Sequence, residues 1–197
     1  MPTGHAAVAG VILAGGRGTR MGGADKGWVT WDGRPLVEQV LERLQPQVAE
    51  LIINANRNLE RYRGLGHPVV EDEHARHGPF AGPLAGMLAG LRRTALPWVV
   101  VVPCDAPALP ADLVTRLLAG AGADPALAVC GGRRQPVFCL LPRRLIGPLE
   151  AALAAGERRP SDFLASVGAR EVRFDDAAAF ANINTADTDA ADPLRHG

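Results

Sequence analysis

The segment from Val11 to Gly27, VILAGGRGTRMGGADKG, concentrates the chain's chemistry: Gly15, Gly16, Gly18, Gly22, Gly23 and Gly27 are interleaved with Arg17, Arg20 and Lys26. Glycines let backbone N–H groups converge on phosphate oxygens, and nearby cations offset the charge of a triphosphate. An apolar run, Val8 to Ala14, leads into the glycines. The segment therefore reads as a strand and loop that hold a nucleoside triphosphate for nucleotidyl transfer. A glycine-rich turn without a ligand is the alternative, and six glycines with three cations in 13 residues weigh against it. Two commoner loops do not fit. No Gly-Lys-Ser/Thr is present for a Walker A loop, and Gly16-x-Gly18-x-x-Met21 lacks the third small residue of a dinucleotide fingerprint. Lys26 is also the single lysine beside 20 arginines. A compact, flexible point charge at this one place suits a phosphate partner differently from a planar guanidinium.

Other candidates follow later apolar runs. Asp105 comes after WVVVV at 98–102 and is placed to hold Mg²⁺ through one carboxylate, with phosphates and water completing the octahedron. Taken alone, it reads rather as a cap for the turn into the next helix, and it is the combination with the glycine-rich loop that favours the metal. Glu71-Asp72-Glu73 puts carboxylates after another short run, and Asn54 and Asn56 follow LII, where an amide could bind a base, a ribose or the loop's own backbone. Asn182-Ile183-Asn184-Thr185 repeats a polar, apolar alternation and could also be a helix cap. His67, His74 and His77 lack metal-ligand spacing and read as solvated loop residues. Trp28 and Trp31 could stack on a flat ring, although packing near a turn is the commoner role.

These residues need a scaffold, and the chain alternates strand-length apolar runs with helical patterns, the pattern of an α/β domain with a mainly parallel sheet. Strands are predicted at Val8–Ala14, Leu51–Ala55, His67–Glu71 and Trp98–Val102. The last, unbroken in its apolar character, is expected to be a central parallel strand covered on both faces. Weaker strands are predicted at Ala128–Cys130 and Pro136–Leu141 around Gly131-Gly132, and at Glu171–Phe174. Trp31-Asp32-Gly33-Arg34 reads as a turn, after which Pro35 opens a helix with Leu36, Val37, Val40, Leu41 and Leu44 on one face. Further helices are expected at Pro83–Arg93, 110–120, 142–154 and 160–167. Gly82, Gly86 and Gly90 mark one face of the second helix, where it would approach the sheet closely. In such a sheet, ligands bind outside the carboxyl ends of the strands.

Composition narrows the class. One domain over residues 1–197 is expected, with flexible termini at 1–7 and 188–197. Hydrophobic residues at 47% and charged residues at 21% are those of a globular chain. Twenty-one basic residues balance 21 acidic ones, so no net field collects nucleic acid or an anionic membrane. No run reaches the roughly 18 apolar residues of a membrane span. Cys104, Cys130 and Cys139 are odd in number and lack a CxxC pair, against a disulfide framework or a cysteine-rich zinc site. The apolar run near the amino terminus lacks a charged n-region and meets Gly15 too soon for a signal peptide. A cytoplasmic monomer is expected.

Six strings, LAGGRGTRMGGADKG, NANR at 54–57, VVED at 69–72, GPLAGMLAG, VVVVPCDAP and AFANINT, together resemble the molybdenum cofactor guanylyltransferases of the MobA family, over about residues 8–187. The resemblance implies a three-layer, Rossmann-like α/β domain with a mainly parallel, mixed central sheet, like that of the nucleotide-diphospho-sugar transferases. It implies a Mg²⁺-dependent enzyme that transfers GMP from GTP to the terminal phosphate of molybdenum-molybdopterin and releases pyrophosphate. Cofactor-delivery proteins and molybdoenzymes would be its partners. By matching strings, Leu13, Ala14, Gly15 and Gly16 would line GTP, Lys26 would pair with phosphate together with Arg20, and Asn54 and Asp72 would contact guanosine. Asp105 would ligate Mg²⁺, and Asn182 and Asn184 would face the pterin. Pro160-Ser161-Asp162-Phe163, after AGERR, departs from the family's strings. The rival readings are a cytidylyltransferase acting on the same pterin, a sugar- or polyol-phosphate nucleotidyltransferase, and a nucleotide-binding regulatory module without turnover. The first usually has AAG and GDMP where this chain has LAGG and PCDAP.

Overall fold

The structure is a computed structural model, described here for residues 7–14, 25–73 and 82–183. Strand β1, Val8–Leu13, is buried along almost its whole length, as its apolar run requires. It pairs in parallel with β4, Glu50–Asn54, on one side and with β6, Trp98–Pro103, on the other. Beyond β4 lies β5, Val69–Val70. Beyond β6 come β8 (Arg133–Pro142), β7 (Ala126–Cys130) and β9 (Arg170–Phe174), giving a seven-stranded sheet of order β5-β4-β1-β6-β8-β7-β9. A two-stranded hairpin, β2 (Thr30–Trp31) and β3 (Arg34–Pro35), turns at Asp32 and Gly33, both at positive φ.

Helices cover both faces. On one face, α1 (Leu36–Leu44), α2 (Leu59–Arg63) and α4 (Leu113–Ala121) pack with Val8, Ile12, Val100 and Val102. On the other, α3 (Pro83–Arg93), α5 (Ile146–Ala154) and α6 (Pro160–Ser166) pack with Ala9, Val11, Val99 and Val101. The alternation of side chains along β1 and β6 divides the core into these two layers. The expected three-layer α/β arrangement is thus present.

Several expectations are corrected. Trp98–Val102 is central but not parallel on both sides, because β8 runs antiparallel to it. The cause is the Gly131-Gly132 turn, with both residues at positive φ, which folds β8 back as a hairpin between β7 and β6. Pro35 belongs to the hairpin, paired with Thr30, and the helix starts at Leu36 with all five predicted residues buried. The strand expected over His67–Glu71 shrinks to Val69–Val70, since Pro68 offers only its carbonyl, which Ile53 N uses, and Asp72 N bonds to the Asn56 side chain. Helix 110–120 begins later, after Asp112, and the start of 142–154 is a 3-10 turn at Arg143–Leu145. Helix α2 was not expected, being too short to show a period.

The glycines of α3 do bring it close to the sheet. A Cβ at Gly90 would sit 2.5 Å from Val11 Cγ2, and one at Gly86 would sit 2.3 Å from Asn54 Oδ1. Gly90→Ala is therefore expected to destabilise the fold by about 1–2 kcal/mol despite its better helix propensity, because overpacking outweighs a gain of about 1 kcal/mol. Urea unfolding checks this; an unchanged midpoint would show that the helix can shift outward at no cost.

Candidate active site

From β1 the chain crosses to β4 and β5 on one side and then returns to β6 on the other. The strand order therefore reverses between β1 and β6, with α1 on one face and α3 on the opposite face. A crevice outside the carboxyl ends of these two strands is the place where such sheets bind ligands. The β1–β6 pairing runs one residue further, with Cys104 N donating to Leu13 O at 3.1 Å. Asp105 then leaves the sheet with its side chain 9% exposed.

Lys26 opens a 3-10 turn, Lys26–Trp28, and its Nζ lies 3.0 Å from Asp105 Oδ2 across a separation of 79 residues. The two groups singled out in the sequence thus meet at the switch point. Asp105 is not a helix cap, since α4 is preceded by Asp112. Its backbone carbonyl accepts a 2.8 Å hydrogen bond from Ile183 N, which brings the exposed Asn182 beside it. Gly15, Gly16, Arg17, Gly18, Arg20, Gly22 and Gly23 lie outside the described residues, as do Asn184, His74 and His77.

A second cluster stands at the carboxyl ends of β4 and β5. Asn54, buried beneath Gly86, donates from Nδ2 to Asp72 Oδ1 at 2.9 Å and to Val70 O at 3.3 Å. Asn56 donates from Nδ2 to Asp72 Oδ2 at 2.9 Å and accepts from Asp72 N at 2.8 Å. Both carboxylate oxygens of Asp72 are thereby oriented by amides. Asn54 and Asp72 were expected together. Asn56 was singled out beside Asn54 as an amide for a base, a ribose or the loop's own backbone but not as a partner of Asp72, although the Asn-x-Asn spacing, which puts both amides on one side of an extended chain, was the available signal. Leu13 and Ala14 line the same edge, with Ala14 N donating to Asn54 O at 2.8 Å. Of the neighbouring acids, Glu73 is taken up by Arg92, which also pairs with Glu150, while Glu71 is exposed.

The site's other groups narrow the chemistry. Burial pushes the Cys104 thiol well above its usual range, with the charges of Asp105 and Asp25 adding to the effect. Burial also pushes Cys139 up to about 12. Both stay protonated thiols, unsuited to act as nucleophiles. Trp28 packs against Tyr62, ring centroids 5.1 Å apart, with the Arg61 guanidinium 3.9 Å from its ring centroid, so packing accounts for it. Among the described residues no group of three His, Cys, Asp or Glu side chains could cage a metal. A single hard carboxylate, Asp105, fits a cation that keeps most of its shell from phosphate and water, as Mg²⁺ does. No helix among the described residues is long and apolar enough to cross a membrane.

Residues 10–172 match the family model of the MobA-like NTP transferase domain. The chain is 53% identical over 188 residues to the molybdenum cofactor guanylyltransferase of Cupriavidus necator, covering 91% of this chain and 93% of that one. It is 48% identical over 183 residues to the protein of the same name from Serratia proteamaculans, covering 92% and 91%. Among solved structures, molybdopterin-guanine dinucleotide biosynthesis protein A from Archaeoglobus fulgidus superposes with a TM-score of 0.71 at 24% identity, over 91% of this chain and 93% of that one. The 2-C-methyl-D-erythritol 4-phosphate cytidylyltransferase of Thermus thermophilus gives 0.63 at 20% identity, over 88% and 91%. At those identities the two structures speak for the fold alone. With a family model spanning most of its length and relatives about half identical along nearly all of theirs, the chain belongs to the MobA-like NTP transferase family, among its molybdenum cofactor guanylyltransferases.

Proposed function

We infer that this protein transfers GMP from GTP to the terminal phosphate of molybdenum-molybdopterin and releases pyrophosphate, with Mg²⁺ bound at Asp105. The observation that carries the reading is the Lys26–Asp105 pair, 3.0 Å apart at the crevice between β1 and β6. A cation and a carboxylate so placed can divide the work on a triphosphate, the ammonium meeting phosphate oxygens and the carboxylate meeting the metal. Bound there, Mg²⁺ would supply charge neutralisation for the triphosphate and the leaving pyrophosphate. Lys26, Arg20 and the N–H groups of Gly15 and Gly16 would hold the phosphates in line for attack by the acceptor phosphate oxygen on the α-phosphorus. A phosphate monoester is already a nucleophile near neutral pH, so the protein need not supply a strong base. The protonated Cys104 beside Asp105 is consistent with that economy. Asn182, next to the Ile183–Asp105 link, and Asn184 would serve the pterin side. The product would pass to cofactor-delivery proteins or molybdoenzymes.

Asp72 is the guanosine acceptor in this scheme. A carboxylate offers about four lone-pair sites, of which the Asn54 and Asn56 amides take two, so acceptor capacity remains for base or ribose donors. Asp72→Ala is expected to raise KM for GTP about tenfold with kcat changed less than about threefold, as for an interaction made equally in ground and transition states. Steady-state kinetics decide; a fall in kcat without a rise in KM would place Asp72 elsewhere in the reaction. The overall assignment is tested by mixing the protein with Mg²⁺, molybdate-loaded molybdopterin, and either GTP or CTP, then following pyrophosphate. Release with CTP alone would overturn the base assignment, and release with neither would favour a binding module.

A further inference from the structure

Asp25, immediately before the lysine, has a carboxylate only 6% exposed. Tyr62 donates its hydroxyl to Oδ1 at 2.6 Å, Asn58 Nδ2 donates to Oδ2 at 2.9 Å, and Arg57 Nε lies 3.9 Å from Oδ2. These two donors and the arginine charge all come from α2 or the residues leading into it. The main chain of Asp25 faces the other way in its bonding, its carbonyl accepting from Trp28 N at 3.0 Å and closing the turn that carries Lys26. One residue therefore links α2 to the lysine's backbone. Trp28, at the far end of the turn, lies against the ring of the fully buried Tyr62. Between them, Gly27 makes room for the hydroxyl, since a Cβ there would sit 2.5 Å from Tyr62 Oη. Burial, reinforced by Cys104 and Asp25, keeps the phenol protonated and hence a donor.

We propose that Tyr62 and Asp25 are positioning residues for Lys26: their hydrogen bond holds the turn at residues 25–28 against α2, so that the lysine's Nζ is aimed at Asp105 and at phosphates bound beside it. The catalytic consequence rests on the transferase reading above, whereas the aim of the side chain does not. Asp25 and Tyr62 act through the backbone of Lys26 and need no contact with substrate. Small errors in such aim are costly, because a misplacement of about 1 Å can lower a rate about a hundredfold.

The test uses Tyr62→Phe, which deletes one oxygen and keeps the ring against Trp28, alone and combined with Lys26→Met. In the wild-type background, kcat for GTP-dependent pyrophosphate release is expected to fall about tenfold with KM for GTP changed less than about threefold. In the Lys26→Met background the same substitution should change kcat less than about twofold, since there is no ammonium left to aim. A tenfold loss in both backgrounds, or no loss in either, would overturn the proposal. Because Lys26 is the only lysine, labelling with lysine carrying ¹³C at Cε alone gives one side-chain carbon signal in a heteronuclear NMR spectrum, independent of turnover. That signal is expected to shift towards the free-lysine position in Tyr62→Phe, and an unmoved signal would overturn the proposal even if the wild-type protein released no pyrophosphate. If Tyr62→Phe does not fold, Asp25→Asn replaces it, with the same expected dependence on Lys26 and the same disqualifying outcomes.

Discussion

Asp105→Asn is expected to lower the rate of GMP transfer about a thousandfold or more while leaving the fold in place. The substitution keeps the size and one acceptor oxygen but removes the charge, and an amide oxygen is a much weaker partner for a divalent cation than a carboxylate. Loss of a single preorganised electrostatic group at a reacting centre costs roughly 10²–10³ in rate, and here the metal's hold on the phosphates would weaken with it. The fold should tolerate the change because Asp105 holds the structure through its main chain: its carbonyl accepts from Ile183 N, and Cys104 N, just before it, bonds to Leu13 O. Neither bond involves the side chain. Pyrophosphate release, read beside the thermal midpoint, checks both halves. Wild-type turnover in this variant would remove Asp105 as the metal ligand, and a collapsed midpoint would mean that its role is structural.

The second large effect is expected at Lys26. Lys26→Met preserves the length of the stem and deletes the ammonium, and kcat should fall about 10²–10³-fold with a smaller change in nucleotide affinity. No other lysine exists in the chain to take its place. Lys26→Arg should recover only part of the loss, because a planar fork cannot occupy the position of a point charge 3.0 Å from Asp105 without moving the turn. The stability cost of Lys26→Met should be near 1 kcal/mol: the Asp105 side chain is left 9% exposed without its cation, but the lysine is 36% exposed and water can partly replace it. Single-turnover measurements with saturating GTP separate the chemical step from binding. Full activity in Lys26→Arg would show that charge alone suffices and that the geometry of the 25–28 turn matters little.

The two predictions are coupled through the ion pair. Lys26 and Asp105 neutralise one another in the structure, and in the proposed reaction each would turn to a new partner when the triphosphate arrives, the ammonium to phosphate and the carboxylate to metal. The clamp at Asp25 fixes the lysine's backbone while leaving its four-carbon stem free to make that exchange. Asp72, by contrast, is immobilised by two amides and suits a role in recognition, where the same contact serves ground and transition states.

Much of this was legible in the amino-acid sequence because it is written in local patterns. Unbroken apolar runs of strand length located the main strands and helical patterning located α1 and α3, with α3 placed at the bounds the structure shows. Residue type and position singled out Lys26 and Asp105 and offered Asn54 with Asn56 and the acids at 71–73, while the order of six strings pointed to the family and, within it, to Asn54 and Asp72. What only the tertiary structure decided lies in contacts between distant segments. That Lys26 and Asp105 meet follows from the reversal of strand order between β1 and β6, which no periodicity encodes. The antiparallel neighbour of β6 follows from a hairpin folding back into a gap left by the crossover through α4. The clamp on Asp25 depends on α2, a five-residue helix too short to announce itself, and on the chain's one tyrosine, which as a lone buried ring looks like any other core residue until its hydroxyl is seen to reach a carboxylate 37 positions away. The glycine-rich segment thus suggested its chemistry by composition, while the position of its lysine beside Asp105, and the contacts of Asp25 with α2, belong to packing that composition does not reveal.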